Sequence, residues 1–279
     1  MPLRTALDEP LIVNAALTGM VPTKDTNPAV PITPEEIAED AWRCHEAGAS
    51  IVHVHARDQH GAPTWDPGIY GDIIAAVREV ASDLVVCAST SGRNWPEFDR
   101  RAAVLDCHPD MASLTLGSLN FPQQASVNTG QMILDLLAAM TERNIRPEFE
   151  AFEVGMIDWA RDYLIPKSGI SAPYYFNLLL GNRGTLAANP RNLVAMVEAL
   201  PEGSVWAVAG IGRFQLEANA LGLVMGGGVR VGLEDNIYLD VGRKKLASNP
   251  ELIRRVVGIA EALGRPLSSC VDTRGRLGL

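Results

Sequence analysis

The sequence predicts an α/β protein built as one (β/α)8 (TIM) barrel. Eight short β-rich runs recur along its 279 residues, segments of helical period lie between most of them, and no Gly-rich linker divides the chain. Parallel strands joined by helices need right-handed crossovers, and eight such strands favour a closed barrel over an open sheet. A doubly wound open sheet is the runner-up. It would need a Gly-rich fingerprint after the first strand, and TGMVP (18–22) is not one. A single domain over 1–279 is therefore expected, with the barrel proper at about 10–265. That exceeds the ~100–200 residues of a typical domain, but such barrels commonly reach about 250.

The strand candidates are LIVNAAL (11–17), SIVHVHA (50–56), LVVCAST (84–90), MASLTLG (111–117), PEFEAFE (147–153), YYFNLLL (174–180), SVWAVAGI (204–211) and VRVGL (229–233). The clearest helix is TPEEIAEDAWRCHEAG (33–48): Thr33 can cap it, Pro34 takes its first position, Glu36 completes a capping box and Gly48 stops it. Helical period also marks 69–81, 131–143, 190–200 and 214–226, and NPELIRRVVGIAEALG (249–264) is expected to close the chain. The residues before 10, TKDTNPAVPIT (23–33) and HGAPTWDPG (60–68) read as loops.

Composition narrows the class. Hydrophobic residues make up 47% and charged residues 20%, enough for a core without disulfide or metal staples. The net charge of −9 argues against nucleic acid or an anionic membrane as the main partner. It does not argue against an anionic substrate, because a local Arg overrides it. Cys44, Cys87, Cys107 and Cys270 are scattered with no CxxC pair, which fits a reduced, cytoplasmic setting. MPLRTALDEP has no apolar core of the kind a signal peptide carries, and no apolar run reaches the ~20 residues of a membrane span.

In such a barrel the chemistry sits at the C-terminal strand ends. Strand 2 ends in His53 and His55, which share one side of the strand. Two imidazoles there would repel if charged; a divalent metal holds both neutral, although a pair of satisfied structural histidines would also fit. Strand 8 runs into Glu234 and Asp235. Glu234 could close a His2Glu site with a coordination position left open, or belong to a solvated acidic loop. Arg230 lies on the side of the strand shared with Glu234, and an Arg–Asp pair would hold Asp235 ionised and oriented. Strand 3 ends in Ser89, Thr90, Ser91 and Gly92, suited equally to binding a carboxylate or phosphate and to a turn of small residues. Without a GxSxG elbow, Ser89 is not read as a nucleophile. Glu148 and Glu150 share a face of strand 5, which is costly unless they are paired or functional. Strand 4 offers Ser113 and Thr115, and Arg213 after strand 7 could bind an anionic group.

Together these stretches resemble the β-keto acid cleavage enzymes. The matching motifs are AALTG (15–19), NPAVPITPEEIAEDA (27–41), AGASIVHVHARD (47–58), STSG (89–92), PDMASLTLGSLNF (109–121), RPEFEAFEVGM (146–156), WAVAGIGRFQ (206–215), RVGLEDNIYL (230–239) and KLASNPELIRRVV (245–257). The resemblance implies a barrel, often a homotetramer, with one zinc ion per chain held by His53, His55 and Glu234. It implies that a β-keto acid and acetyl-CoA, the co-substrate, give acetoacetate and the CoA ester of the remaining acyl part. Arg230 and Asp235 match the dyad that helps abstract a proton between the two carbonyls, and Ser89 matches the serine that binds the substrate carboxylate. Glu150 matches an acid of the substrate pocket, and Thr115 stands where a relative acting on an amino-substituted keto acid has Asn. That relative also carries a Glu, paired with the substrate ammonium, where this chain has Val21. The departure implies a distal group that is neutral or apolar at the Val21 contact.

Two other readings compete. A barrel-type zinc hydrolase would place its HxH on strand 1 and add later histidines, but here no His follows His108. A non-catalytic, metal-stabilised binding module is opposed by the open coordination site and by Arg230–Asp235.

Overall fold

In a computed structural model, which describes residues 7–121 and 124–279, the eight expected strands close into a parallel barrel. They are β1 (Val13–Ala16), β2 (Ile51–Val54), β3 (Val85–Ala88), β4 (Met111–Thr115), β5 (Arg146–Ala151), β6 (Tyr174–Leu180), β7 (Ser204–Gly210) and β8 (Gly228–Val231). Each pairs with its neighbours in chain order, and β1 closes the ring against β8. The loop expected before residue 10 falls mostly outside the described residues.

The six helices read from period are present with their ends trimmed or shifted by a residue or two. Pro34–Glu46 carries the capping box of Thr33 and Glu36, and Asn249–Ala262 has a second one from Ser248 and Glu251. Their buried faces pack on the outer barrel wall, around Val52, Val86, Phe176, Val208 and Val229.

Two helical segments within the barrel were not legible. Phe98–Ala102 runs into a tight turn over Ala103–Cys107 and is too short to show a period. Val154–Trp159 continues through one wide turn, Ala160–Leu164, into Ile165–Ser168. Pro166 reads as a breaker, but the wide turn before it absorbs the missing N–H. A small hairpin pairs Leu119–Asn120 with Ala125–Ser126 above β4.

The chain does not close at 264. An eight-residue helix, Cys270–Leu277, follows and plugs the floor of the barrel. Leu277 packs with the inward residues Ile12, Ile51, Val85, Met111, Tyr175 and Ala207. Arg274 donates to Asp83 O at 2.8 Å, Leu84 O at 3.1 Å and Asp110 Oδ1 at 3.0 Å, while Arg276 donates to Pro10 O at 2.6 Å. These groups precede β3, β4 and β1, so two arginines gather the bottom ends of three strands. The barrel expected to end near 265 therefore depends on residues beyond it.

Leu277→Ala opens a void in this apolar floor. It is expected to cost about 2–5 kcal/mol in urea unfolding. A change under about 1 kcal/mol would show that the floor is not packed this way.

Candidate active site

The upper half of the barrel interior is polar. Register sets Asn14 beside Arg230, Ser113 beside Glu148, and Glu150 between Thr115 and Asn177. His53, from β2, and His55, just beyond it, bring their Nε2 atoms to 3.3 Å from each other. Glu234, past β8, reaches them with Oε1 at 3.2 Å from His55 Nε2 and Oε2 at 3.9 Å from His53 Nε2. Glu234 Oε2 is buried and has no hydrogen-bond partner among the described residues. Two ring nitrogens and an orphaned carboxylate oxygen converging on one point are a donor set for a divalent cation.

Behind this trio stands Glu148, which sequence reasoning noted but gave no role. Its Oε2 lies 2.9 Å from His53 Nδ1, and its Oε1 accepts from Asn14 Nδ2 at 2.7 Å. The Cys87 thiol donates to it at 3.3 Å. A carboxylate on the far nitrogen of a ligating His fixes the ring's tautomer and orientation. The available signal was its position: an acid inside a strand, on the barrel side.

Arg230 holds three carboxylates. It donates to Asp235 from Nε at 3.0 Å and Nη2 at 3.3 Å, to Glu234 Oε1 at 2.7 Å, and to Glu150 Oε1 at 3.2 Å. Glu150 also accepts from Thr115 Oγ1 at 2.8 Å. Burial opposes the charge on Glu234, but Arg230 and the two imidazoles outweigh it and hold the carboxyl well below its ordinary range. For Asp235 burial wins over Arg230, and the carboxyl sits above its ordinary value. Arg230 does grip Asp235 with two bonds, but burial of the pair works against the ionised form that the sequence led one to expect. Glu150 is raised for the same reason. Burial presses His53 down, yet Glu234 and Glu148 lift it above its usual value, whereas His55 stays below.

These groups open on a cavity of about 510 Å³ at the C-terminal mouth. His55, Glu234, Asp235, Arg230, Glu150 and Thr115 line it, together with Ser89 and Val21, which is 60% exposed. Two of the residues expected to bind substrate do not line it. Ser113 is buried beside Glu148, where its Oγ accepts from Thr90 N at 3.1 Å, and does not line the cavity. Arg213 is exposed and turned towards Phe214 outside the cavity, because Gly212 ties its backbone to Asp235 O at 2.7 Å and the next residues start a helix. Arg93, which carried no motif signal, does line the cavity.

The loops are braced from outside. Arg57 donates to Gly19 O at 2.6 Å, Pro22 O at 2.9 Å and Gly61 O at 3.0 Å. Gly19 has φ +67°, and a Cβ there would stand 2.5 Å from Glu234 Cγ. Only a glycine lets this turn approach the carboxylate so closely. Asn249 donates to Leu17 O at 3.0 Å and Asp40 Oδ2 at 2.6 Å, and accepts from Leu233 N at 2.7 Å. It thereby fixes the chain on either side of Gly19 and Glu234.

A sequence model described as β-keto acid cleavage enzyme matches residues 10–279. The chain is 43% identical to a 3-keto-5-aminohexanoate cleavage enzyme of Fusobacterium nucleatum subsp. nucleatum, over 97% of this chain and 98% of that one. It is 35% identical to a 3-oxoadipate:acetyl-CoA acetyltransferase of Cupriavidus necator, over 98% and 96%. Among solved structures, apo ObcA superposes with a TM-score of 0.78 over 90% of this chain and 66% of that chain, at 21% identity. That likeness bears on the fold alone.

Burial pushes the Asp40 carboxyl up to about 6, against the bond from Asn249. An unfolded Asp titrates near ~3.9, so between about pH 4 and 6 the folded chain keeps a proton that the unfolded chain has lost. Stability is expected to fall as pH rises through this window, by about 2–3 kcal/mol, and Asp40→Asn is expected to remove the slope. Urea midpoints from pH 4 to 7 check this, and equal slopes in both proteins would sink it.

Proposed function

The chain belongs to the β-keto acid cleavage enzyme family, and we propose that it exchanges acyl groups between a β-keto acid and acetyl-CoA. The keto acid's acyl part leaves as its CoA ester, and the acetyl group joins the released carboxymethyl carbon as acetoacetate. The observation that carries this reading is the shared cavity: the Arg230–Asp235 pair opens on the same space as His55 and Glu234, two of the three groups that converge with His53.

One zinc ion per chain suits two imidazoles and a carboxylate, and His53, His55 and Glu234 would hold it. Other divalent ions share this preference. When bound, it supplies Lewis-acid polarisation of the keto carbonyl, which acidifies the neighbouring carbon.

The chain's own groups do the rest. Asp235 takes the proton from the carbon between the two carbonyls. Burial raises its affinity for that proton, and Arg230 fixes its direction with two bonds. Once Asp235 is neutral, Arg230 still faces Glu150 and Glu234, so its charge remains paired. Ser89 offers its hydroxyl to the substrate carboxylate at the end of β3. The carbanion attacks the acetyl carbonyl of acetyl-CoA and releases the CoA thiolate. That thiolate attacks the original keto carbon, whose bond to the central carbon breaks. Asp235 then returns its proton to acetoacetate, so no oxidant or reductant is needed.

Val21 supports a distal group that is neutral or apolar where it meets the wall above β1, since the side chain at this position is an isopropyl group rather than a carboxylate that would pair an ammonium. Val21→Glu is expected to raise turnover of amino-substituted keto acids relative to plain alkyl ones. An unchanged ratio would remove Val21 as the contact.

A panel of β-keto acids with acetyl-CoA, scored by acetoacetate release, tests the reaction; silence across the panel from metal-loaded protein would sink it. His53→Ala is expected to lose both bound metal, measured by elemental analysis, and turnover. A metal-replete, active variant would refute the ligand assignment.

A further inference from the structure

Two arginines line the cavity, and their situations differ. Arg230 is bonded to Glu150, Glu234 and Asp235, which are the three carboxylates of the lining. Arg93 is bonded to none of them. Among the described residues its Nε is buried without a partner, and no side-chain bond from its guanidinium is formed.

Its placement is nevertheless defined. The guanidinium carbon lies 3.5 Å from the centroid of the Phe121 ring, a stacked arrangement that leaves the N–H edge free. The loop beneath is pinned: Arg93 N donates to Ser91 Oγ at 3.4 Å, and Arg93 O accepts from Gln124 Nε2 at 3.0 Å. Arg101, itself buried, holds Thr90 O at 2.9 Å and Asn128 Oδ1 at 2.8 Å, and it fills the space beside Gly92. Burial presses the Arg93 guanidinium below its ordinary value, and Glu234 and Glu150 pull it back. A fixed, partly dry cation with open donors lacks one thing, an anion. Arg93 also sits four residues beyond Ser89, on the loop that the reaction assigns to a carboxylate.

We propose that Arg93 binds a carboxylate of the β-keto acid, with its fork of N–H donors facing the cavity across from Arg230. The proposal rests on the β-keto acid reading and deepens it. Every such substrate has one carboxylate at its reacting end; some have a second at the far end. Arg93 lies above β3 and β4, away from Val21 above β1, so a carboxylate here is compatible with an apolar contact there.

Calorimetry on the metal-loaded protein, without acetyl-CoA, separates this from the reaction itself. The probes are acetoacetate, with one carboxylate, and 3-oxoglutarate, with two. Arg93→Ala is expected to weaken binding about tenfold or more, as for loss of a charged hydrogen-bonding partner, and Arg93→Lys to restore part of it. Equal weakening of both probes assigns Arg93 to the reacting-end carboxylate. Weakening of 3-oxoglutarate alone assigns it to the distal one. Unchanged affinity for both in folded Arg93→Ala overturns the proposal. In turnover, a rise confined to the KM for acetyl-CoA would also overturn it, since the anion would then belong to CoA. Should the wild type release no acetoacetate from any keto acid, the reaction reading fails while the binding comparison still reports on Arg93.

Discussion

One guanidinium organises the mouth of this barrel. Arg230 is almost wholly buried, yet it serves carboxylates from two strand ends, Glu150 in the last residues of β5 and the Glu234–Asp235 pair after β8. A lone buried charge would be prohibitive, and three acids without it would be worse. The cluster is therefore interdependent: each acid is tolerated because Arg230 is there, and Arg230 because they are. An excess of negative charge remains around it, which is the setting in which a divalent cation is welcome and in which Arg93, whose guanidinium has no hydrogen-bond partner among the described residues, stands out.

This cluster also explains the unusual interior. Parallel barrels fill their centres mainly with branched aliphatic residues. Here that rule holds at the floor, where Leu277 meets Ile12, Ile51 and Val85, and fails above it, where Asn14, His53, Glu148 and Asn177 replace them. The apolar floor supplies cohesion, while the polar upper layer is stabilised only through its mutual hydrogen bonds. The barrel thus separates folding from chemistry along its own axis.

Much of this was legible because it follows from period and position. Strand ends in a barrel are a short list, so His53, His55, Glu234 and Asp235 stood out as soon as eight strands were counted. Ser113 and Arg213 do not line the cavity, since sequence places a residue near a mouth without saying where its side chain turns; Thr90 captures the first, and a helix start carries the second outside. Arg93 was silent for the opposite reason, since its meaning comes from Phe121, on a hairpin with no periodic signal. The floor helix escaped because CVDTRGRL is short, polar and broken by Gly275; tertiary contacts rather than propensity order it.

The bracing by Arg57 has a consequence for how such an enzyme changes. With one side chain collecting the carbonyls of Gly19, Pro22 and Gly61, the arm that carries Val21 keeps its course whatever residue occupies that position. A mutation at Val21 then alters the chemistry of the cavity wall without reshaping the entrance or disturbing Glu234 behind Gly19. Backbone course and wall chemistry become separately heritable, so a lineage can vary the cavity one side chain at a time while the cluster around Arg230 is left standing.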